Sequence, residues 1–396
     1  MEQSSWASAP QTIAALTVTG ILVVGQMYIV IPLFAPMSKS FGAAPASMTW
    51  LATIFGFAYA GGFLLAGPLA DRYGSRPVIV LGLLATSVTT AAVATAPNLG
   101  VGCALRALQG FTAASFAPAA FAYVAEHLAP NRRSLALTCI TSGYLAAAVL
   151  VQVAAQGLNA LAGWRSAFLV FAPALVVAAL AAKLVLRPRR EVPQAEVGSI
   201  FTAFAAMPRL LARPRLLGLY GATMTVLGGF VAVYTGISLA GPAGIVGHPA
   251  ALLALRASAL PAMIAVPAFA PLLARLSTRT RLVLGLAAAA AAALVASLLG
   301  SAIAALAAVL LVLVAGVAIA APALVEAISQ AAADARGSAV ALYAFSMFIG
   351  ASLGPQLAGD LTGSGFTRIL QLVVGIFAVG ALLAACSVRR DTATKA

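Results

Sequence analysis

Charge is what this sequence has least of. Of its 396 residues only 8% are Asp, Glu, Lys or Arg, and 62% are hydrophobic. Mean hydropathy is +1.04. Soluble domains carry about 25% charged residues, so a water-soluble fold is excluded and the chain reads as an integral membrane protein. Acids are scarcer than bases, 9 against 23, for a formal net charge of +14. Cys103, Cys139 and Cys386 lie far apart in apolar segments, which excludes a disulfide framework and a metal-binding spacing. The two histidines, His127 and His248, are equally remote from each other and make no metal site. There is no G-x-x-x-x-G-K-[ST] loop, so ATP does not drive the protein directly. No H-E-x-x-H or comparable catalytic pair is present, and no enzyme activity or cofactor is expected. The first residues, MEQSSWASAPQ, include an acid and no base, and the apolar run after them is too long for a signal peptide.

Long apolar runs are what the sequence has in abundance. A helix needs about 20 such residues to cross a bilayer. Twelve runs qualify: 12–36, 47–69, 77–96, 99–124, 134–157, 164–186, 215–239, 250–273, 281–300, 302–330, 338–360 and 366–387. None alternates with a period of two, which excludes a β-barrel. The expectation is an all-α membrane protein with a six-helix half at 1–186, a linker at 187–214 and a second six-helix half at 215–396. The linker, RPRREVPQAEVGSIFTAFAAMPRLLARP, ends in a stretch that suits an amphipathic surface helix. Lys and Arg crowd the side that holds both termini and the linker, with only Lys39, Arg165, Arg256 and Arg368 on the other. That side is therefore expected to be cytoplasmic. The basic excess is topological, so no nucleic-acid partner is expected.

The two halves resemble each other. GPLADRYGSR at 67–76, shifted by about 203 residues, lands on APLLARLSTR at 270–279, matching Pro68, Leu69, Arg72 and Arg76 to Pro271, Leu272, Arg275 and Arg279. At nearly the same shift Pro118, Arg132 and Ser134 meet Pro322, Arg336 and Ser338, and GWR at 163–165 meets GFT at 365–367. Six spans followed by six similar spans in the same orientation match the parallel repeats described for major facilitator transporters.

The motifs point the same way. GPLADRYGSRP resembles the loop 2–3 signature of the major facilitator superfamily, G-x-L-a-D-r-x-G-r-k, with Gly67, Leu69, Asp71, Arg72, Gly74 and Arg76 in the matching places and Ser75 departing. RALQGFTAASFAP, from Arg106, resembles the fourth-span signature R-x-x-q-G, and GWRSAF resembles the opening of the sixth span in bacterial 12-span proton-coupled drug and sugar efflux groups. One departure concerns direction. The Gly-Pro pair associated with antiport in the fifth span is replaced by Val151-Gln152, and the pair stands instead at Gly354-Pro355 in the eleventh, a candidate helix kink.

The resemblance implies a gating clasp at the cytoplasmic end of spans 2 and 3. Asp71 would meet the start of span 11, Arg336 would offer it a partner, and Glu126 would face Arg72 or Arg76. The second half has Ala274 in place of the acid. Ordinary solvated loop charges are the alternative. Arg106, a charge within a span, is implied in proton coupling, the alternative being a side chain that snorkels to the outer interface. Glu326, one turn past Pro322, is a candidate proton carrier, or else a structural ion pair at a wet helix end. Gln26, Tyr28, Tyr59, Gln152, Gln156, Tyr234, Tyr343 and Gln356 are candidate lining for a central cavity, unless they only join helices, and Arg256 could hold an anionic group or mark the membrane boundary. The first span carries no acid, which argues against cationic drugs. The implied function is proton-driven export of a drug, sugar or metabolite across a bacterial inner membrane by a monomer. An uptake symporter or facilitator is the alternative.

Overall fold

The computed structural model describes residues 7–188, 207–246, 248–273, 275–299, 302–332 and 335–388. Among them the regular structure is helical throughout. The chain forms two compact units, Met1–Thr202 and Ala203–Ala396.

In the first unit α1 (Ala9–Tyr28) begins at a capping box between Ser8 and Gln11, and a short 3-10 turn at Ile31–Leu33 leads into α2 (Phe34–Phe41). Then follow α3 (Thr49–Tyr73), α4 (Ser75–Val93), α5 (Leu99–Ala113), α6 (Phe116–His127), α7 (Pro130–Ala162) and α8 (Trp164–Val185). The second unit holds α9 (Pro214–Ala240), α10 (Pro249–Ala257), α11 (Leu260–Ala268), α12 (Ala270–Leu273), α13 (Thr278–Leu298), α14 (Ile303–Ala331), α15 (Arg336–Asp360) and α16 (Phe366–Ser387).

Nine helices among the described residues are long and apolar enough to cross a membrane. The other three expected runs are not straight. α7 bends by 40° between Leu135–Tyr144 and Ala146–Ala162. Run 99–124 is divided between α5 and α6, and run 250–273 among α10, α11 and α12. Proline explains these divisions. It has no N–H to give a preceding turn and fits best in a helix's first turn, although α3, α8, α14 and α15 each continue past an interior proline. Pro118, Pro261 and Pro271 each fall within the first three residues of a new segment.

Segment 67–77 corrects an expectation. It is not a loop: α3 runs on through Pro68 to Tyr73, and α4 starts at Ser75. Gly74 alone makes the corner, at φ 86° and ψ 151°, where a side chain is strained. Its counterpart in the second half, Ser277, turns the chain at φ −60° and ψ 151°, and its hydroxyl accepts a hydrogen bond from the Thr280 N–H at the start of α13. The corner between α7 and α8 keeps its glycine in both halves. Gly163 has φ 77° and ψ 169°, and Gly365, before α16, has φ 87° and ψ 163°. The shift seen in sequence thus reappears as a shared backbone conformation.

Helix neighbours repeat as well. α1 packs on α7 as α9 packs on α15, α4 on α8 as α13 on α16, and α3 on α5 as α11 on α14. Small residues set these crossings, because lipid supplies no hydrophobic drive and close van der Waals packing must. A Cβ on Gly25 would lie 2.2 Å from a Val151 methyl. At the equivalent crossing a Cβ on Gly354 would lie 2.6 Å from the Gly228 carbonyl oxygen. At the candidate kink, Gly354-Pro355, α15 continues as one helix with Pro355 inside it, and Gly354 serves the approach to α9.

Candidate functional site

The most polar buried cluster of the first unit joins α1, α3, α4 and α5. Arg106 and Gln109 stand three apart on α5, hence on one helix face, and both are fully buried. Arg106 Nε donates to the Leu51 carbonyl of α3 at 3.1 Å, and its Nη1 donates to Gln109 Oε1 at 2.6 Å. The Gln109 amide then donates to Gln26 Oε1 on α1 at 3.0 Å and to Thr90 Oγ1 on α4 at 2.7 Å. The guanidinium lies 4.2 Å from the centre of the Phe55 ring, a cation–π contact. Four helices are pinned through two side chains, Arg106 and Gln109.

This geometry selects between two readings of Arg106. A snorkelling side chain would reach water, yet Arg106 is 0% exposed and turned into the helix bundle. Among the described residues no carboxylate pairs with it, and its Nη2 has no hydrogen-bond partner. At the centre of a spanning helix an arginine costs about 2.5–3.5 kcal/mol even on the lenient insertion scale. The sequence reading singled out Arg106 and Gln26 but missed Gln109 and Thr90. The signal for Gln109 was its place in RALQG, one helical turn past the arginine.

Other polar side chains of this unit are wholly or partly buried. Gln152 donates to Ala148 O, and both Gln152 and Gln156 present a buried amide oxygen with no partner among the described residues. Tyr28 is buried, and Tyr59 is buried between Phe55, stacked at 5.7 Å, and Phe63, edge-on at 4.9 Å. Tyr144 was not singled out, but its hydroxyl is buried and unpartnered.

In the second unit a smaller cluster centres on Arg256, which is 1% exposed. Its Nη2 donates to Ser238 Oγ at 2.5 Å. Tyr234, one turn before Ser238 on α9, is buried. Tyr343 reaches Ala321 O and Met347 Sδ, both at 3.5 Å. Gln356 is half-buried and bonds Asp360 at 3.1 Å, toward the end of α15.

Two expectations change here, for Glu326 and for Glu126. Glu326 does not sit in an apolar setting: its side chain is 40% exposed and is 2.5 Å from Arg281 Nη2. Thr278 and Gln330 also donate to it, at 2.8 Å and 3.2 Å. It is a brace from the end of α14 to the start of α13, placed by its position only a turn from the helix terminus. Glu126 does not meet Arg72 or Arg76. Its carboxylate is 3.8 Å from His127 Nδ1, and the His127 ring stacks on Tyr123 at 4.3 Å. Arg76 instead donates to the Lys183 carbonyl at 2.5 Å, tying α4 to α8, and Arg72 lies exposed beside Tyr73. Gly67 has open space around it, while Gly74 makes the corner. The side chains of Asp71 and Arg336, the centre of the expected clasp, lie outside the described residues.

Comparison with known proteins agrees with the repeat and the motifs. Residues 16–355 match the family model of the Major Facilitator Superfamily. Puromycin resistance protein pur8 of Streptomyces alboniger is 30% identical over 155 residues, 39% of this chain and 31% of that protein. Cephamycin export protein CmcT of Amycolatopsis lactamdurans is 32% identical over 193 residues, 48% of this chain and 39% of its own length. The uncharacterised transporter YgaY of Escherichia coli K12 is 29% identical over 218 residues, 53% of this chain and 54% of its own. The chain thus spans less than two thirds of each of these relatives. The family model covers most of the chain's length, and the chain belongs to the Major Facilitator Superfamily, multi-pass membrane proteins of twelve helices in two halves.

Proposed function

We propose that this protein exports small organic molecules across a bacterial inner membrane by alternating access, as a monomer and in exchange for protons. The observation that carries the reading is the buried Arg106–Gln109–Gln26–Thr90 network, a positive charge buried in the first unit with no carboxylate beside it among the described residues. A stable fold gains little from such a charge, since an apolar side chain would cost less. Its use lies in responding to charge that comes and goes, as protons and substrate do. Relatives named for puromycin resistance and cephamycin export support the outward direction.

Three further features belong to the proposal. Both termini face the cytoplasm, on the strength of the Lys and Arg distribution. Energy comes from the proton gradient without a cofactor. Glu326 is not the proton carrier, because its ion pair with Arg281 holds it as a partly exposed carboxylate. A second reading, uptake, rests on Val151 and Gln152 standing where exporters of the resembled groups carry Gly-Pro. Val151 fills the approach to Gly25 instead.

Flux in vesicles tests the direction. Everted vesicles from cells expressing the protein are given an inward-acid pH gradient and a panel that includes puromycin and a cephamycin. Uptake of at least one compound that collapses with the gradient supports export. Accumulation only in right-side-out vesicles refutes it.

A further inference from the structure

Arg256 carries a deficit of acceptors that the fold itself does not meet. Its guanidinium is buried, and the Nη2–Ser238 bond leaves Nε without a partner among the described residues. Ser238 donates its own proton to the Tyr234 carbonyl at 3.0 Å, so it offers Arg256 only lone pairs. Tyr234 stands four residues before Ser238 on the same face of α9, and its hydroxyl also finds no partner. It lies close enough to Arg256 to interact electrostatically. Two unmatched donors, one of them charged, therefore stand on α9 and α10, the two helices that the Arg256–Ser238 bond joins. Among the described residues the carboxylate ion pairs are those of Glu126 and Glu326, neither with Arg256.

We propose that Arg256, Tyr234 and Ser238 form an anion-binding subsite, and that the transported molecule is an organic anion of the carboxylate class. This rests on the export reading above and narrows its cargo. The chemistry follows from the inventory. A guanidinium edge and a phenol O–H both donate, and a carboxylate accepts from both with charge assistance. A cationic ligand would meet like charge, and a neutral alcohol would leave the guanidinium uncompensated. The sequence shift places Arg256 opposite Thr53 of α3, two residues from Leu51, the backbone acceptor of Arg106. Among the described residues the buried arginines are Arg106 and Arg256; Arg106 bonds the Gln109 side-chain amide, whereas the side-chain bond of Arg256 is to the Ser238 hydroxyl.

The test uses the full chain, purified and reconstituted in lipid nanodiscs. Its thermal midpoint is titrated at constant ionic strength with 1-naphthoate, with 1-naphthalenemethanol as the neutral isostere and 1-naphthylmethylammonium as the cationic one. The expected result is a saturable rise with naphthoate and no comparable rise with the others. Arg256→Gln should weaken naphthoate by about tenfold or more, Arg256→Lys should restore part of it, and Tyr234→Phe should weaken it by several-fold. Tyr234→Phe removes one oxygen from a buried ring, so it reports even if the arginine variants fold poorly. Equal response to naphthoate and its isosteres, or none, overturns the subsite, as does full naphthoate binding in Arg256→Gln or Tyr234→Phe. The export reading fails separately: naphthoate selectivity without gradient-driven flux in everted vesicles leaves the subsite standing, and flux without anion selectivity leaves export standing.

Discussion

Replacing Gln109 probes the buried network most sharply, because that one amide makes three hydrogen bonds. In Gln109→Leu the Arg106 Nη1 bond at 2.6 Å and the bonds to Gln26 and Thr90 at 3.0 Å and 2.7 Å all disappear. A hydrogen bond to a charged group is worth about 1.5–3 kcal/mol, and a neutral interhelical one in a membrane protein about 0.6 kcal/mol. The loss is then about 3–4 kcal/mol, a large fraction of a marginal stability. Gln109→Glu separates stability from function. It returns an acceptor to Arg106, now as a carboxylate, and Gln26 can turn its amide to donate to it. Stability should fall by only about 1 kcal/mol, yet the charge on Arg106 would be cancelled. The assay pairs thermal unfolding in nanodiscs with gradient-driven uptake in everted vesicles. Leu should unfold at a clearly lower temperature, and Glu should unfold near wild type while losing most transport. Wild-type stability in the Leu variant would refute the network's structural weight. Wild-type transport in the Glu variant would refute the importance of the uncompensated charge.

Other substitutions test other parts of the account. Gly354→Leu would push a side chain into the Gly228 carbonyl, 2.6 Å from the new Cβ, and should sharply lower the yield of folded protein by size-exclusion chromatography. Gly163→Ala meets open space but must hold φ 77°, so it should cost about 1–3 kcal/mol by backbone strain alone, read as a lower unfolding midpoint. Glu326→Gln should change stability by less than about 1 kcal/mol, as befits a half-exposed pair, and should leave the pH dependence of transport intact. A flat pH profile in that variant would return Glu326 to the coupling machinery. Asp71→Asn should lower turnover with normal membrane insertion, measured as initial uptake rate per immunodetected protein.

Much of the architecture was legible because a bilayer enforces it. In lipid only helices and closed barrels satisfy every backbone polar group, a spanning helix needs an apolar run of about 20 residues, and the Pro and Arg positions around 68–76 and 271–279 revealed the repeat before any geometry. The shared conformation of Gly163 and Gly365 is the physical form of that repeat. What sequence hid were the partners. Nothing local says that Glu326 meets Arg281, 45 residues away, across two helix ends. Likewise Arg76 finds a backbone carbonyl on α8 rather than an acid, a contact 107 residues distant. Span interruptions were misjudged because a hydropathy window is blind to proline's missing N–H, so 250–273 read as one helix and folds as three segments. Arg106 was singled out for being charged in a span, whereas Gln109 passed unnoticed because an amide there looks unremarkable until its three partners are known.

The central claim is exchange of an organic substrate for protons, with Arg106 answering to the charge that moves. The most direct measurement is proton flux into or out of proteoliposomes of purified protein, followed with a trapped pH dye while a gradient of a substrate found in the vesicle panel is imposed. The account predicts that substrate moving down its gradient drives protons the opposite way in wild type, and that Arg106→Gln abolishes this coupled flux. Protons moving with the substrate, or unchanged coupled flux in Arg106→Gln, would contradict it.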